Sequence, residues 1–316
     1  MSRPLHFIWG PGGVGKTHFS IYFAFQKAPD CQLLTLDPSP RLIHLLGLKT
    51  GSIEQDVTWE GRSWKVRQTS ADRLFENLNA MTPASPLVKS YFHELFKGLH
   101  RFRDYLSLID LSDEVLKSTS QTLIIDTPPF LEARGLAQAI EDLNNFFKNP
   151  ILAKGLKSNV LHSSFKKIFH FAQGFLGKLG VEQALEFLDW ISKNAERFQK
   201  STETLKDIFD RPNSYHSLVF SPETSKHQIE STFKFFQNCR NLQIIMNRSL
   251  KDLPSFSENF VSLHQEVQCR LKNEEKNEKL LKKLFPQAHF ARFPLQLMGE
   301  DSKEEMDRFL STALKG

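Results

Sequence analysis

The sequence predicts an α/β fold in which a mostly parallel sheet is flanked by helices. Short β-rich runs alternate with helical stretches along the chain, which is the pattern of such sheets. The first run leads directly into a glycine-rich loop at residues 10–17. The other runs form an early and a late group, separated by a long segment without strand patterns, and this predicts an inserted helical subdomain.

Six strands are predicted at 5–9, 33–36, 122–125, 217–220, 242–246 and 289–293. The stretch VTWEGRSWKVRQ predicts a hairpin that turns at Glu60 and Gly61 and forms an antiparallel edge pair. Helices are predicted after Gly15, over 84–107, in several stretches between 131 and 207, and over 223–239, 256–285 and 302–314. We therefore expect residues 1–316 to form a single domain, with 131–213 as the helical subdomain.

The composition is that of an ordinary globular chain, with 40% hydrophobic and 24% charged residues. No run of about 20 apolar residues is present to cross a bilayer, and the apolar stretch at the N-terminus is too short for a secretory signal. We expect a cytoplasmic protein with no integral membrane segment.

Charge and cysteine content exclude two further classes of site. The net charge is +5, but Lys and Arg are interspersed with nearly as many Asp and Glu, and no basic run is present. Nucleic acid is therefore not an expected partner. Cys31, Cys239 and Cys269 lie far apart without CxxC spacing, so zinc is not predicted and a reducing compartment is indicated.

Residues 10–17, GPGGVGKT, match the phosphate-binding pattern G-x-x-x-x-G-K-[ST] between an apolar strand and an amphipathic helix. The glycines let backbone N–H groups turn towards a phosphate, and the helix directs its positive end at the same place. Lys16 adds a mobile positive charge, and Thr17 offers a hydroxyl to Mg²⁺. The loop predicts binding of nucleotide phosphates.

Two aspartates lie at the carboxyl ends of predicted strands, where ligands bind in open α/β sheets. Asp37 follows the strand in LLTLDPSP, and Asp126 follows the strand in TLIIDTPP. A carboxylate at such a place can hold Mg²⁺ through waters or orient an attacking water. Alternatively, each aspartate caps a turn before a proline.

The segments GGVGKT, LDPS and IIDTPP together resemble the deviant-Walker-A ATPases, in the branch of the arsenite pump and of tail-anchored-protein targeting. The segments SLVFSPETSKHQIESTFKFFQ, IIMNRS and ARFPLQLMGED resemble later motifs of that family, so the likeness runs from the first strand to the C-terminal helix. The resemblance implies a P-loop NTPase fold, binding of ATP and Mg²⁺, ATP hydrolysis and a dimer.

The resemblance also implies roles for individual residues. Asp37 would position the attacking water, with Lys16 as the second catalytic residue, and Thr17 and Asp126 would hold Mg²⁺, Asp126 directly or through a water. Asn247 would contact the adenine, although an asparagine after a strand is also a common turn former. The nucleotide-binding set comprises Gly12, Gly13, Val14, Gly15, Lys16, Thr17, His18 and Asn247.

Three features depart from the family pattern. Pro11, on a loop expected to be exposed, replaces the lysine that family members extend across the dimer interface; the glycine and histidine of the second switch after Asp126 are missing; and the zinc-binding CxxC is absent. Proline has no charge and no N–H, so it cannot replace the lysine. We expect an ATPase that is slow on its own. We also expect it to form a homodimer or a heterodimer with a lysine-bearing paralogue. The alternative is a non-hydrolysing nucleotide-binding subunit with a structural role in a heteromeric complex.

Phenylalanines recur at helical spacing in the strand-free segment. This segment lies where carriers of tail-anchored proteins have a hydrophobic client groove, so Phe165, Phe169 and Phe175 could contact a hydrophobic protein client. The other interpretation is that this face packs on the sheet, as the apolar face of an amphipathic helix usually does.

Overall fold

The computed structural model of the chain describes residues 3–37, 39–49, 54–69, 71–98, 100–117, 121–129, 186, 189–190, 193–250 and 261–294. The chain divides into two compact units. The first comprises Met1–Gln68, Thr119–Arg134 and Asp210–Gly316, and the second comprises Thr69–Ser118 and Gly135–Phe209.

The described strands of the first unit form one sheet. In chain order they are β1 (Leu5–Trp9), β2 (Cys31–Thr35), β3 (Glu54–Trp59), β4 (Arg62–Gln68), β5 (Thr122–Asp126), β6 (Ser214–Phe220), β7 (Leu242–Ser249) and β8 (His289–Pro294). Their spatial order is β3-β4-β2-β5-β1-β6-β7-β8. Only the pairing of β3 with β4 is antiparallel among these strands. The predicted α/β fold with a mostly parallel sheet is confirmed.

In the described residues the helices are α1 (Lys16–Lys27), α2 (Arg41–Leu45), α3 (Ala71–Met81), α4 (Pro86–Gly98), α5 (His100–Lys117), α6 (Ala195–Asp210), α7 (Lys226–Phe236) and α8 (Val261–Leu284). Helices α2 and α3 were not predicted from the sequence. The predicted helix over 84–107 is two helices in the structure, α4 and α5. The five-residue α2 is too short to show a period, and no side chain caps its N-terminus.

The burial of the central strands explains why their sequences are continuously apolar. All five residues of β2 are buried, as are residues 123–126 of β5, because helices cover such parallel sheets on both faces. Side chains of α1, including Phe19, Ile21 and Phe25, pack in the same core as Ile8 and Leu33. The central strands β1, β2 and β5 are parallel, so the polar residues that follow them lie together at the carboxyl ends of the strands.

The predicted hairpin is present at the edge formed by β3 and β4. Glu60 has φ 43° and Gly61 has φ 75°, and left-handed backbone at both central residues is what a two-residue hairpin turn of type I′ requires. The register runs from Trp59 opposite Arg62 to Glu54 opposite Arg67.

The second unit is helical in its described part. Phe75 of α3 and Phe92 of α4 contact the ring of Trp190. Arg197 of α6 forms an ion pair with Asp113 of α5 and donates to the backbone oxygen of Asn77. These contacts join helices from both sequence segments of the unit.

The predicted helical subdomain at 131–213 lies mostly outside the described residues, as do Phe165, Phe169, Phe175 and the predicted helix at 302–314. They remain predictions. No helix in the described part of the chain combines the length and the apolarity that a membrane span requires.

Candidate nucleotide-binding site

The glycine-rich loop joins β1 to α1, as the sequence predicts. Its tip, Gly12 and Gly13, is exposed. Gly15 is the N-cap of α1 and has no side chain to cap the helix, and the first turn contains no acidic residue. The backbone N–H groups of this turn and the positive end of the helix dipole therefore suit an anion.

Pro11 is buried, so the expectation that position 11 is exposed is wrong. The beginning of the loop packs tightly against the end of β6, where a Cβ added to Gly10 would lie 2.3 Å from the oxygen of Val219. The carbonyl oxygen of Pro11 accepts a hydrogen bond of 2.9 Å from Nζ of Lys16. Although proline has no N–H, its backbone oxygen thus holds the ammonium group of Lys16 at the loop.

Asp126, the last residue of β5, is the centre of the site. Its side chain is 1% exposed and accepts hydrogen bonds from three hydroxyl groups. Thr17 donates to Oδ2 at 3.1 Å, Ser20 donates to Oδ1 at 3.1 Å, and Thr35 donates to Oδ2 at 3.4 Å. One carboxylate therefore joins α1 to the ends of β2 and β5.

Burial raises the pKa of Asp126 to about 6, since the charged form loses its hydration. The positive charge of Lys16 opposes this shift, the negative charge of Asp37 adds to it, and the hydrogen bonds from Ser20 and Thr17 oppose it. The structure thus brings together the four predicted residues Lys16, Thr17, Asp37 and Asp126.

Asp37 begins the segment that we call the Asp37 turn, of which the structure describes Asp37, Ser39 and Pro40. Its N–H donates to Oγ1 of Thr35 at 3.1 Å, and its Oδ1 accepts from the N–H of Ser39 at 2.8 Å. The side-chain amide of Gln68 donates to the carbonyl oxygens of Asp37 and Ser39, both at 3.1 Å. Asp37 itself is half-buried, whereas Ser39 and Pro40 are exposed.

Asn247 supports the loop from the other side of the site. It is buried, and its Nδ2 donates to the carbonyl oxygen of Val14 at 2.8 Å. The side chain of Val14 packs in the core, and His18 is also buried. Asn247 therefore has a supporting contact that the sequence analysis did not predict, beside the role at adenine that the resemblance implies.

The end of β7, which carries Asn247, is itself held by α8. Glu274 is fully buried and accepts hydrogen bonds from the hydroxyl of Ser249 and the N–H of Leu250. Asn277 donates to the carbonyl oxygens of Pro222 and Thr224, after β6. The helix thus fixes the carboxyl ends of two strands at the site.

The segment after Asp126 lies beside the loop. Thr127 donates its hydroxyl to the carbonyl oxygen of Ile8 at 2.7 Å, which joins the ends of β5 and β1. A Cβ added to Gly12 would lie 4.0 Å from Cβ of Pro129. Pro129, in the predicted second switch, therefore lies beside the loop tip.

Ser20, Thr35 and Gln68 were not predicted from the sequence. Ser20 lies one helical turn after Thr17, and Thr35 lies two residues before Asp37, so the spacing of hydroxyls around the predicted residues was a usable signal. Gln68 had no such signal, because its position depends on which strand pairs with β2.

The residues fit both parts of a magnesium nucleotide. The hydroxyl of Thr17 and the carboxylate of Asp126 are oxygen donors, which Mg²⁺ prefers, and the loop offers backbone N–H groups to phosphates. Among the described residues, no group of three or more His, Cys, Asp or Glu side chains is arranged to hold a metal ion.

Cys31 is buried, which raises the pKa of its thiol to about 12.

The comparison with protein families gives a match over nearly the whole chain. A family model described as "anion-transporting ATPase" matches residues 5–311, which is nearly the whole chain. No curated protein sequence matches the chain significantly.

Two glycines of the loop with similar positive φ, Gly13 and Gly15, provide a matched test of its packing. Gly13 has φ +78° and an added Cβ would meet nothing within 4 Å, whereas at Gly15, with φ +85°, it would lie 2.3 Å from Nδ2 of Asn247. Both alanine variants incur the backbone strain, but Gly15→Ala must also displace the amide that holds Val14. We expect Gly15→Ala to lower the free energy of unfolding by about 1 kcal/mol more than Gly13→Ala. Urea denaturation of both variants measures this, and equal losses would contradict the packing described.

Asp126 should make stability depend on pH. Its pKa of about 6 in the folded chain exceeds the ordinary aspartate value of 3.8. Between these two pKa values the folded chain therefore binds a proton that the unfolded chain has released. Binding of this proton stabilises the folded state, and the stabilisation is lost as the pH rises through 6. Without nucleotide or metal, the parent should lose about 1 kcal/mol more unfolding free energy than Asp126→Asn between about pH 5 and about pH 7.5. Urea denaturation at both pH values tests this, and equal changes in the two proteins would refute it.

Proposed function

The chain belongs to the family of anion-transporting ATPases, which implies ATP binding and hydrolysis, and on this premise we propose that it is a cytoplasmic, Mg²⁺-dependent ATPase that acts as a dimeric switch. The observation that carries the proposal is the hydrogen-bonded group around Asp126. It places the phosphate-binding loop, a hydroxyl suited to Mg²⁺ and the Asp37 turn at one edge of the sheet.

Lys16 would bind the terminal phosphates of ATP. Its ammonium group now donates to the neutral carbonyl of Pro11. A phosphate oxygen is a stronger acceptor because the hydrogen bond then joins opposite charges. Gly12, Gly13, Val14, Gly15, Thr17 and His18 would contribute through the loop and the first turn of α1, and Asn247 would contact the adenine.

Thr17 and Asp126 would hold Mg²⁺, Asp126 directly or through a water. When bound, Mg²⁺ would supply positive charge that stabilises the phosphates. Ser20 donates its hydroxyl to Oδ1 of Asp126 and keeps the carboxylate oriented. The pKa of Asp126 is raised because its carboxylate is buried. A nearby cation would favour the charged form of this carboxylate.

Asp37 would orient the attacking water. Its Oδ1 accepts from the N–H of Ser39, which fixes the plane of the carboxylate, so we assign the water to Oδ2. The electrostatic influence of Asp37 on Asp126 supports its assignment to the same site. Because the residue begins an exposed turn, it can respond to the presence of the γ-phosphate, as the switch segments of other nucleotide hydrolases do.

The switch is proposed to act on a protein partner or on a hydrophobic client. Cys31 in β2, Cys239 after α7 and Cys269 on α8 lie on separate elements, so they offer no basis for a thiolate-bound anion as cargo. A client groove formed by Phe165, Phe169 and Phe175 stays a prediction.

Pro11 favours a second candidate function, a non-hydrolysing nucleotide-binding subunit in a heteromeric complex. A cation supplied in trans to phosphoryl transfer accelerates it by about 10³- to 10⁵-fold in other nucleotide hydrolases. A homodimer of this chain has no lysine at position 11 in either copy. The chain is therefore proposed to be slow alone, and the two candidates differ in whether any partner restores turnover.

We expect a substitution at Asp37 to lower the rate of ATP hydrolysis without changing the affinity for nucleotide. Asp37→Asn should leave the affinity for Mg-ATP within about twofold and lower kcat at least about 100-fold, because only the oriented water is lost. Lys16→Ala should weaken the affinity at least about tenfold, because a charged phosphate contact is removed. Calorimetry and steady-state phosphate release measure both, with exposed Asp56→Asn and Lys279→Ala as matched controls. If Lys16→Ala binds as tightly as the parent, the assignment of the loop is wrong.

A lysine-bearing relative should stimulate this chain. The chain is mixed with a family member that keeps the lysine at the position of Pro11 and whose own ATP site is inactivated, so that only this chain hydrolyses ATP. We expect turnover to rise at least about tenfold over the chain alone. This design avoids Pro11→Lys, which would disturb a buried position. Complex formation without stimulation would favour the non-hydrolysing subunit, and fast turnover alone would contradict the need for a lysine.

A further inference from the structure

Three polar residues lie side by side at the carboxyl edge of the sheet. In the parallel pairing of β2 with β4, Thr35 is opposite Gln68, and in the pairing of β2 with β5, Thr35 is opposite Asp126. Paired residues of neighbouring strands project from the same face of a sheet. Gln68, Thr35 and Asp126 therefore form one polar row, which we call the edge row.

Thr35 connects the edge row to the Asp37 turn. Its hydroxyl accepts the N–H of Asp37 at 3.1 Å and donates its proton towards Oδ2 of Asp126 at 3.4 Å. A single hydroxyl can do both, since it has one proton and two lone pairs. The backbone of Asp37 is thus linked through one atom to the carboxylate assigned to Mg²⁺.

Gln68 holds the same turn at a second place. Its Nε2 donates to the carbonyl oxygens of Asp37 and Ser39, each at 3.1 Å, using both amide protons. Its side chain therefore bridges the two residues whose own contact, from the N–H of Ser39 to Oδ1 of Asp37, shapes the turn.

These contacts matter because the described residues of the turn that follow Asp37 are exposed. Ser39, Pro40 and Arg41 are exposed, whereas Thr35 is 1% exposed and Gln68 is half-buried. A catalytic carboxylate that is misplaced by about 1 Å can lose about 100-fold in rate. A turn on the surface needs rigid supports of this kind to hold a carboxylate in place.

We propose that Thr35 and Gln68 are positioning residues for ATP hydrolysis, which hold the Asp37 turn in a fixed place relative to Asp126. This inference rests on the proposed role of Asp37. Neither residue contacts the nucleotide in this assignment. They act on the rate through Asp37 and leave nucleotide binding to the loop.

The first experiment measures turnover and binding of full-length variants. Thr35→Val keeps the size and the strand preference of the side chain but removes the hydroxyl, and Thr35→Ser restores it. Thr35→Val should lower kcat about tenfold with the affinity for Mg-ATP within about twofold, and Thr35→Ser should recover most of the rate. Gln68→Met, which keeps the length of the side chain, should lower kcat in the same way.

Matched controls use the same substitutions away from the site. Thr58→Val removes a hydroxyl that contacts Ser63 on the exposed hairpin, and Gln55→Met removes an amide that donates to Lys49. Neither should change kcat. Equal rate losses in the controls and in the edge-row variants would overturn the inference.

A double-mutant cycle tests whether Thr35 acts through Asp37. In an Asp37→Asn background, Thr35→Val should cause no further loss of kcat, because the group that it positions is already gone. A full additional tenfold loss, or a loss that extra Mg²⁺ repairs, would show that Thr35 acts through Asp126 alone and would overturn the inference.

Amide hydrogen exchange provides a measurement that does not need turnover. The N–H of Asp37 is bonded to Thr35, so Thr35→Val should increase exchange in a peptide covering residues 36–41, and Thr35→Ser should not. Gln68→Met gives the same readout at a half-buried position if Thr35→Val does not fold. Absence of turnover in the parent would contradict the ATPase proposal alone, whereas unchanged exchange in the folded variants would overturn the positioning role alone.

Discussion

The site depends on one buried carboxylate that is surrounded by hydroxyl groups. Asp126 is 1% exposed and ends the strand between β2 and β1, where an unsatisfied charge would be costly. Hydroxyls from Thr17, Ser20 and Thr35 offset part of that cost. Thr17 and Ser20 belong to α1, and Thr35 belongs to β2. The hydrogen bonds that stabilise the buried charge therefore also fix α1 and β2 relative to β5.

The loop and the turn are supported in different ways. The loop is held at its base, where Gly10 packs on Val219 and Asn247 bonds to Val14, and its tip is exposed. The Asp37 turn is held through its backbone by neighbouring strands. A rigid base under an exposed tip suits ligand binding, and hydrogen bonds from buried and half-buried strand residues suit a surface turn whose carboxylate must keep its place.

Much of this arrangement follows from local sequence. Continuous apolar runs that end in Asp37 and Asp126 predicted both the parallel sheet and the edge where the two carboxylates meet. The burial of Pro11, the bond from Asn247 to Val14 and the contact of Gln68 could not be predicted in this way, because each depends on which distant strand is adjacent. The short α2 was missed since five residues show no period, and α3 lay in a stretch to which no element was assigned.

The contact between Asn247 and Val14 joins residues 233 positions apart. The central strand β1 likewise pairs with β5 and β6, which follow much later in the chain. During synthesis, the glycine-rich loop leaves the ribosome before Val219 and Asn247, which support it. The nascent chain therefore carries an unfinished anion site until β6 and β7 have been translated and have docked. Nucleotide would then bind and stabilise only chains whose late strands have already docked.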